Sequence, residues 1–412
     1  MNDQTYRVYG YRWVVLGVFM LVNLAVQMLW ISFAPITDQA ATIYGVSATQ
    51  IGYLAISFMA VYVFLSIPES WVIDRFGFRI AISIGVILMG VFGILRGLVG
   101  PNYLLVLLCS IGIAIGQPFL MNSWTKVPAN WFSMNERATA VGLVTLANLV
   151  GTAIGQFLTP RLTAYFQIPT IQLIYGIIAG ISAVLFIVLS RERPATPPCP
   201  PGMEVRSLML DGLKQIAKTA PFWLFVIVYF FGMGMFNGIN TWINGIFSPR
   251  NFNANDAGLF GGLMIVGGII GAVIIPSLSD REHKRQRYLL LGVLLAIPGL
   301  VGIAFATSRW LLYLSSFAFG FFLISLAPIG LQYVAEVTYP APEGTSAGVI
   351  QWFGQVSFIF VILMDAIKSK NGAYTPSLVL SIILLLVMAG VITQMKDPVP
   401  HTAGAVAQTS QD

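Results

Sequence analysis

Charged residues are scarce in this sequence. Lys, Arg, Asp and Glu make up 9% of its 412 residues, and 57% are hydrophobic, whereas soluble proteins carry roughly 25% charged residues. So few charges cannot cover a water-facing exterior of this size, but they suit an exterior that faces lipid. The scarcity excludes a soluble chain and indicates a protein that lies in a bilayer.

Cysteine and histidine are also rare, with two residues of each. Cys109 lies in an apolar run and Cys199 in a proline-rich loop, which excludes a disulfide framework. His283 and His401 lie in a basic loop and in the C-terminal tail, so a His-based triad or metal site is not expected. A phosphate-binding glycine loop with its lysine is missing too. We therefore expect no catalytic site, no metal and no cofactor.

Apolar runs near 20 residues dominate what is present, and they predict an all-α membrane protein. The first run is too long for the core of a signal peptide, so we expect it to remain as a span. We predict twelve spans: 13–38, 50–72, 78–100, 103–124, 138–160, 169–190, 221–246, 255–277, 288–306, 310–334, 345–367 and 374–394.

The loop charges predict the orientation of the chain. An even number of spans puts both termini on one side, and the loops of that side carry most of the Lys and Arg. The other side has only Arg161, Arg250, Arg309, Lys368 and Lys370. The positive-inside rule therefore places both termini in the cytoplasm. No basic patch interleaved with aromatics indicates a nucleic-acid partner, and the absence of Asn-x-Ser/Thr favours a prokaryotic plasma (inner) membrane.

The chain divides into two similar halves. Asp74-Arg75 follows span 2 and Asp280-Arg281 follows span 8, a separation of 280 − 74 = 206 residues. Glu136 precedes span 5 and Glu343 precedes span 11, at 343 − 136 = 207 residues. We predict six-helix bundles over 1–190 and 221–396, a linker over 191–220 with a candidate amphipathic helix, and a disordered tail over 397–412.

Two halves of six spans with the same orientation resemble the major facilitator superfamily. The segment 74–79, Asp-Arg-Phe-Gly-Phe-Arg, resembles the signature loop of that superfamily, whose acid and arginines are thought to form a cytoplasmic latch. We expect gating or structural roles for the charged residues in and around this loop and its counterparts: Glu69, Asp74, Arg75, Arg79, Arg137, Asp280, Arg281, Glu336 and Glu343.

Ionisable residues inside spans are costly and therefore functional by default. Glu69 and Glu336 fall near the cytoplasmic ends of spans 2 and 10, which favours latch or anchor roles. Asp365 falls near the outer end of span 11, where we expect an ordinary hydrated surface residue. Because no acid is predicted at the midplane, facilitated diffusion is favoured over proton coupling.

Aromatic and amide side chains occupy the predicted midplane instead: Trp30, Gln117, Asn237 and Gln355. Buried amides need partners, so these residues either bond between helices or form a neutral pocket. Such a pocket suits a small polar or cationic solute, held over an aromatic face and by amide hydrogen bonds. It does not suit an anion.

Several segments resemble the family of the feline leukaemia virus subgroup C receptor. They are Leu21-Val22-Asn23 with Trp30, Gly116-Gln117-Pro118-Phe119, Trp131-Phe132, Glu136-Arg137-Ala138-Thr139-Ala140, and Glu336-Val337-Thr338-Tyr339-Pro340 followed by Glu343-Gly344-Thr345-Ser346. The resemblance covers most of the chain, and the last segment is the most discriminating.

The resemblance implies a monomeric carrier of choline, ethanolamine or a related nutrient. Trp30, Gln117 and Gln355 match three ligand positions of the choline-transporting members, while Asn237 stands where those members have a Tyr. Further candidates for the site are Trp124, Asn240 and Trp352. Haem or pyridoxine as the solute, and a non-transporting receptor on a carrier scaffold, remain alternatives. Haem is disfavoured because the predicted spans contain no histidine to ligate its iron.

Overall fold

The computed structural model describes residues 8–196, 198, 210–282, 284–338 and 343–397. Within them, twelve helical segments are long and apolar enough to cross a membrane, which confirms the predicted number. They are α1 (Arg12–Ile31), α2 (Ala48–Phe76), α3 (Phe78–Leu98), α4 (Tyr103–Met121), α5 (Met134–Leu162), α6 (Ile168–Leu189), α7 (Ala220–Thr241), α8 (Ala254–Glu282), α9 (Arg285–Phe305), α10 (Arg309–Thr338), α11 (Glu343–Val356, then Phe358–Ala366) and α12 (Thr375–Gln394).

Three predicted spans were wrong as continuous helices. The first stops at Ile31 and continues as a 3₁₀ turn, Ala34–Ile36, and a short helix, Thr37–Tyr44. The seventh stops at Thr241 before a short helix, Ile243–Phe247, and the eleventh is interrupted at Ser357. Pro35 lies within the first break and lacks the N–H that an α-helix needs. Because apolar residues continue across each break, hydrophobicity alone could not locate it.

The helices of each half pack in the same pattern. In the first half α2 and α3 pack on α4, and α3 packs on α6. In the second half α8 and α9 pack on α10, and α9 packs on α12. Small residues allow this proximity: a Cβ on Gly93 of α3 would lie 3.2 Å from Gly176 Cα of α6. The second bundle therefore repeats the first at an offset of six helices.

The signature loop is a tight turn between α2 and α3. Gly77 has φ +86°, which favours glycine, and a Cβ there would lie 2.6 Å from the Glu192 carboxyl carbon. The Glu192 carboxylate accepts hydrogen bonds from the backbone N–H groups of Phe78 (3.2 Å) and Arg79 (2.7 Å). A carboxylate is favourable at a helix N-terminus, so Glu192, just after α6, anchors the start of α3.

The linker and the tail are only partly described. A helix over Leu210–Ala217 falls within the region where an amphipathic helix was predicted. The predicted tail lies outside the described residues except for Asp397, and so do His283, His401 and Cys199. Glu343 begins α11, but its side chain is outside the described part. The predicted domain boundaries therefore stay predictions.

Candidate functional site

The four residues predicted at the midplane are all buried. Trp30 and Gln355 are 6% exposed, and Gln117 and Asn237 are 4% exposed. Trp30 on α1 and Asn237 on α7 hold equivalent positions of the repeat, since 237 − 30 = 207. At about 1.5 Å per residue they lie about 27 and 25 Å from the starts of their helices, while Gln355 lies about 18 Å along α11. All three residues lie inside candidate membrane spans.

The polar groups of these four residues are only partly hydrogen-bonded to other protein groups. The Trp30 indole N–H donates to the Ala55 carbonyl at 3.1 Å, which fixes the ring against α2. Gln117 Oε1 is buried with no hydrogen-bond partner. Among these four described residues, no hydrogen bond joins any two. An amide with a purely structural role would hydrogen-bond to its neighbours. The unpaired oxygen of Gln117 is therefore more typical of a ligand-binding residue.

Asn148 on α5 is a further polar residue inside a span, and the sequence reasoning missed it. Its Nδ2 is also buried without a partner, and it is the repeat counterpart of Gln355, since 355 − 148 = 207. The signal that could have found it was the offset between the halves. Two polar residues inside the spans thus carry a buried group without a protein partner, an acceptor on Gln117 and a donor on Asn148.

A second aromatic group lies where the two bundles meet. The Trp352 indole N–H of α11 donates to the Val63 carbonyl of α2 at 3.0 Å, which crosses between the bundles. Next to Val63, the Tyr62 hydroxyl donates to Asn122 Oδ1 at 2.7 Å. The Tyr229 hydroxyl of α7 donates to Gln351 Oε1 at 3.1 Å. Trp352 is therefore at the interface, as a ligand residue would need to be.

Two other predicted residues make specific contacts. The Trp124 indole N–H donates to Asn23 Oδ1 at 2.7 Å, which ties the segment after α4 to α1. Asn240 is fully buried, and its side-chain oxygen accepts from Gln156 Nε2 of α5 at 3.1 Å. Asn240 therefore links the two bundles.

The two ends of the molecule differ. We call the end where α1 starts and α12 ends the termini side, and the opposite end the far side. On the far side, glycines bring the bundles together. A Cβ on Gly258 of α8 would collide with the Gln156 carbonyl oxygen, and a Cβ on Gly52 of α2 would collide with the Trp242 ring. Gln156 Nε2 also donates to the Asn240 carbonyl at 3.1 Å. The far side is closed by backbone-level contact.

A polar cluster completes the closure of the far side. Asp365 on α11 accepts from Thr49 of α2 at 2.8 Å, from Lys368 at 2.8 Å and from Tyr374 at 2.6 Å. Lys368 Nζ also reaches Thr49 at 3.1 Å. Burial, and then the Asp365 carboxylate, raise the pKa of Tyr374 well above its ordinary value, so its hydroxyl remains a donor. A cavity of about 120 Å³ adjoins this cluster.

The prediction of a hydrated surface role for Asp365 was wrong. Its exposure is 9%, because Thr49 and Tyr374, from two other segments, cover it. Distance from the helix end, which is all that the sequence shows, does not reveal such cover. Asp365 is a link between the bundles.

On the termini side, the ion pairs found between described residues stay within one bundle. In the first bundle Lys126 pairs with Asp74 at 2.5 Å and Arg12 with Glu136 at 2.8 Å. In the second, Arg285 pairs with Asp280 and, at 3.1 Å, with Glu336. These pairs hold each bundle together at this end and leave the two bundles unlinked by them.

The remaining predicted gating residues have local contacts. The Arg75 guanidinium lies 5.4 Å from the Trp71 ring centre, Arg79 donates to the Ile187 carbonyl at 3.3 Å, and Arg137 donates to the Ala129 carbonyl at 2.9 Å. Arg281 is exposed. Glu69 is buried, and its Oε2 has no partner. Among the described residues, no group of three His, Cys, Asp or Glu could hold a metal ion.

The repeat of helices and the turn between α2 and α3 have a counterpart among known proteins. The sequence model of the Major Facilitator Superfamily matches residues 15–362. This chain belongs to the Major Facilitator Superfamily. It is a multi-pass membrane transporter of that superfamily, and the predicted fold is confirmed.

Relatives within the superfamily confirm the predicted family resemblance. Solute carrier family 49 member A3 of Danio rerio is 29% identical over 413 residues, covering 94% of this chain and 86% of the relative. Choline/ethanolamine transporter FLVCR2 of Homo sapiens is 26% identical over 399 residues, covering 91% of this chain and 75% of the relative. The FLVCR2 of Rattus norvegicus is 26% identical over 409 residues, covering 93% and 74%.

Solved structures show the same superfamily fold. A bacterial homologue of the human lysosomal transporter Spinster, in an inward-facing and unoccupied conformation, aligns with a TM-score of 0.74 and 15% identity over 94% of this chain and 98% of its own. A point mutant of the nucleoside transporter NupG aligns with a TM-score of 0.71 and 13% identity over 92% and 99%. At these identities the likeness concerns the fold alone.

Proposed function

We propose that this transporter carries a small organic amine of the choline or ethanolamine class by alternating access, without an ion-coupling step. The observation that carries the proposal is that two buried neutral amides inside the spans, the Gln117 acceptor and the Asn148 donor, have no protein partner. An amine with a hydroxyl group supplies what both groups need. The choline/ethanolamine transporters among the relatives support this class.

In the proposed site Trp30 offers an aromatic face to the cation, which is worth about 0.5 to 2 kcal/mol. Gln117, Asn237 and Gln355 supply amides, and Trp352 is a candidate for the second ring that Asn237 does not provide. Asn240 and Trp124 act beside the site, through the contacts of Asn240 with Gln156 and of Trp124 with Asn23. Trp30, Gln117, Asn237 and Gln355 carry no charge themselves, which favours facilitated diffusion.

With the termini in the cytoplasm, as the loop charges predict, the closed far side is the outer side. The conformation is then inward-facing. The charged residues of the termini side, including Glu336 and Arg285, would re-pair when that side closes, which is the role we propose for the predicted latch. The membrane is proposed to be a plasma (inner) membrane.

The experiment is uptake of labelled choline, ethanolamine and pyridoxine into proteoliposomes. We expect Trp30→Ala to weaken choline uptake about tenfold, the equivalent of about 1.4 kcal/mol, and Trp30→Phe to weaken it less. Trp310→Ala is the matched control, since Trp310 is 80% exposed. Absence of choline and ethanolamine uptake by folded wild-type protein would refute the substrate class, and uptake of pyridoxine alone would favour the vitamin alternative.

Gln117→Leu separates the pocket from the packing interpretation. Removing an unpaired buried acceptor does not destabilise a protein, so we expect an unchanged or raised melting temperature together with weaker uptake. A lowered melting temperature with normal uptake would instead assign Gln117 to packing. Uptake that depends on a proton gradient and loses that dependence in Glu69→Gln would replace facilitation with proton coupling.

A further inference from the structure

Arg96 is a buried arginine that the transport scheme does not use. It lies on α3, near the far side, and its side chain is 1% exposed. A buried charge inside a membrane span is costly and normally has a function.

The partners of Arg96 are neutral. Its guanidinium donates to Gln172 Oε1 at 2.6 Å, to the Leu29 carbonyl at 3.0 Å and to Ser32 Oγ at 3.4 Å, and it lies 5.3 Å from the Phe33 ring centre. None of the salt bridges between described residues includes Arg96. An ion pair with an acidic residue therefore does not explain the burial of Arg96.

Several partners of Arg96 lie at the C-terminal end of α1. This helix stops at Ile31, so its last carbonyl groups lack helical N–H partners and carry the negative end of the helix dipole. The Leu29 carbonyl receives Arg96 and also the Ser32 hydroxyl, at 3.1 Å. Arg96 thus caps α1 from a neighbouring helix, at the break that the sequence did not reveal.

The residue after Leu29 is Trp30. The Leu29 carbonyl belongs to the peptide plane that continues into Trp30, so holding this carbonyl constrains the direction in which the Trp30 side chain leaves the helix. The ring itself is held by Ala55. Trp30 is therefore fixed at two points, and Arg96 supplies the one on the backbone.

Stability alone is a poor explanation for this arrangement. Arg96 Nε and Gln172 Nε2 are both buried without partners, and a partly satisfied buried network is generally less stable than apolar packing. What the arrangement does supply is a defined helix end.

We propose that Arg96 is a positioning residue, which fixes the end of α1 and through it the Trp30 indole for ligand binding. The consequence for binding rests on the proposed function of Trp30. The geometric part of the proposal, that Arg96 fixes the end of α1 and the position of the Trp30 ring, does not depend on that function.

The geometric part can be tested without ligand, by ¹⁹F NMR of protein labelled with 5-fluorotryptophan in nanodiscs. The Trp30 resonance is identified by its loss in Trp30→Phe. We expect it to shift or split in Arg96→Gln. Arg285→Gln is the matched control, because Arg285 is also a buried arginine but pairs with acids in the other bundle, and it should leave the resonance in place.

The binding part is tested by a double-mutant cycle on labelled choline uptake. We expect Arg96→Gln to raise the apparent KM about tenfold in the wild-type background and less than twofold in Trp30→Ala, since residues that act together are non-additive. Any effect of Arg285→Gln should be equal in both backgrounds. Arg96→Lys keeps the charge but loses the planar fork, and it should show an intermediate KM if Arg96→Gln does not fold.

An unshifted Trp30 resonance in folded Arg96→Gln or Arg96→Lys would overturn the proposal. Additive effects of Arg96→Gln and Trp30→Ala would overturn its binding part. If wild-type protein takes up neither choline nor ethanolamine, the proposed function fails, while the resonance still decides whether Arg96 positions Trp30.

Discussion

The two ends of this transporter are held in different ways. On the far side, Asp365, Gln156 and Asn240 make side-chain bonds from one bundle to the other, and Gly258 allows backbone contact. On the termini side, the ion pairs between described residues lie within single bundles. Contacts between bundles must break when the side that they close opens, whereas contacts within a bundle survive the movement.

The pseudo-equivalent loops on the termini side also differ from each other. Asp74 and Arg79 correspond to Asp280 and Arg285, since 280 − 74 and 285 − 79 both equal 206. In the second bundle the equivalent pair is joined directly, but in the first Asp74 pairs with Lys126. Sequence repetition therefore does not ensure repetition of the contacts.

The largest effect is expected from Gly258→Leu. Its side chain would collide with the Gln156 carbonyl oxygen, which is backbone and cannot move aside cheaply, so the far side should stay open and transport should be lost. Double electron–electron resonance between spin labels at 165 and 310, exposed far-side positions on the two bundles, measures the separation. We expect the distance to increase.

Gly390→Leu is the control for this change, because Gly390 is exposed and a Cβ there would have no atom within 4 Å. It should leave both distance and transport unchanged. A Gly258→Leu protein with the wild-type distance would contradict the assignment of this contact to closure.

A smaller effect is expected from Asp365→Asn. It removes the charge that pairs with Lys368 and weakens the bond to Thr49, which should destabilise the far-closed state by about 1 kcal/mol. The far-open population should rise about fivefold, measured with the same pair of labels. Asp38→Asn, an exposed acid on the same side, serves as the control, and an equal response of the two variants would rule out a specific link at Asp365.

The smallest effect on the balance between the ends is expected from Arg285→Gln. It leaves Asp280 and Glu336 without their shared cation, so the melting temperature should fall, corresponding to about 1 to 3 kcal/mol. The main distance between labels at 165 and 310 should remain that of the far-closed state, because in this state the bonds of Arg285 lie within one bundle and a re-paired Arg285 would stabilise only the state in which the termini side is closed. Arg287→Gln removes a more exposed pair and should alter neither quantity. A large distance change in Arg285→Gln would show that the two ends are coupled through this pair.

The burial of the candidate site residues was predictable from the sequence for a simple physical reason. A polar or aromatic residue inside a long apolar run is expected to be buried within the membrane, which is how Trp30, Gln117, Asn237 and Gln355 were selected, and all four are buried. Gln156 and Asn148 also lie in such a run, but their importance depends on which neighbours they face. Asp365 was misjudged because distance from a helix end was taken as a measure of hydration.

The order of residues was enough to establish the number of spans and the offset of 206 to 207 residues between the halves. These properties follow from composition and periodicity, which act locally along the chain. The break after α1, its capping by Arg96 and the closure of the far side emerge only when the helices pack. Burial of a polar group depends on residues brought from distant helices, and no local pattern records that proximity.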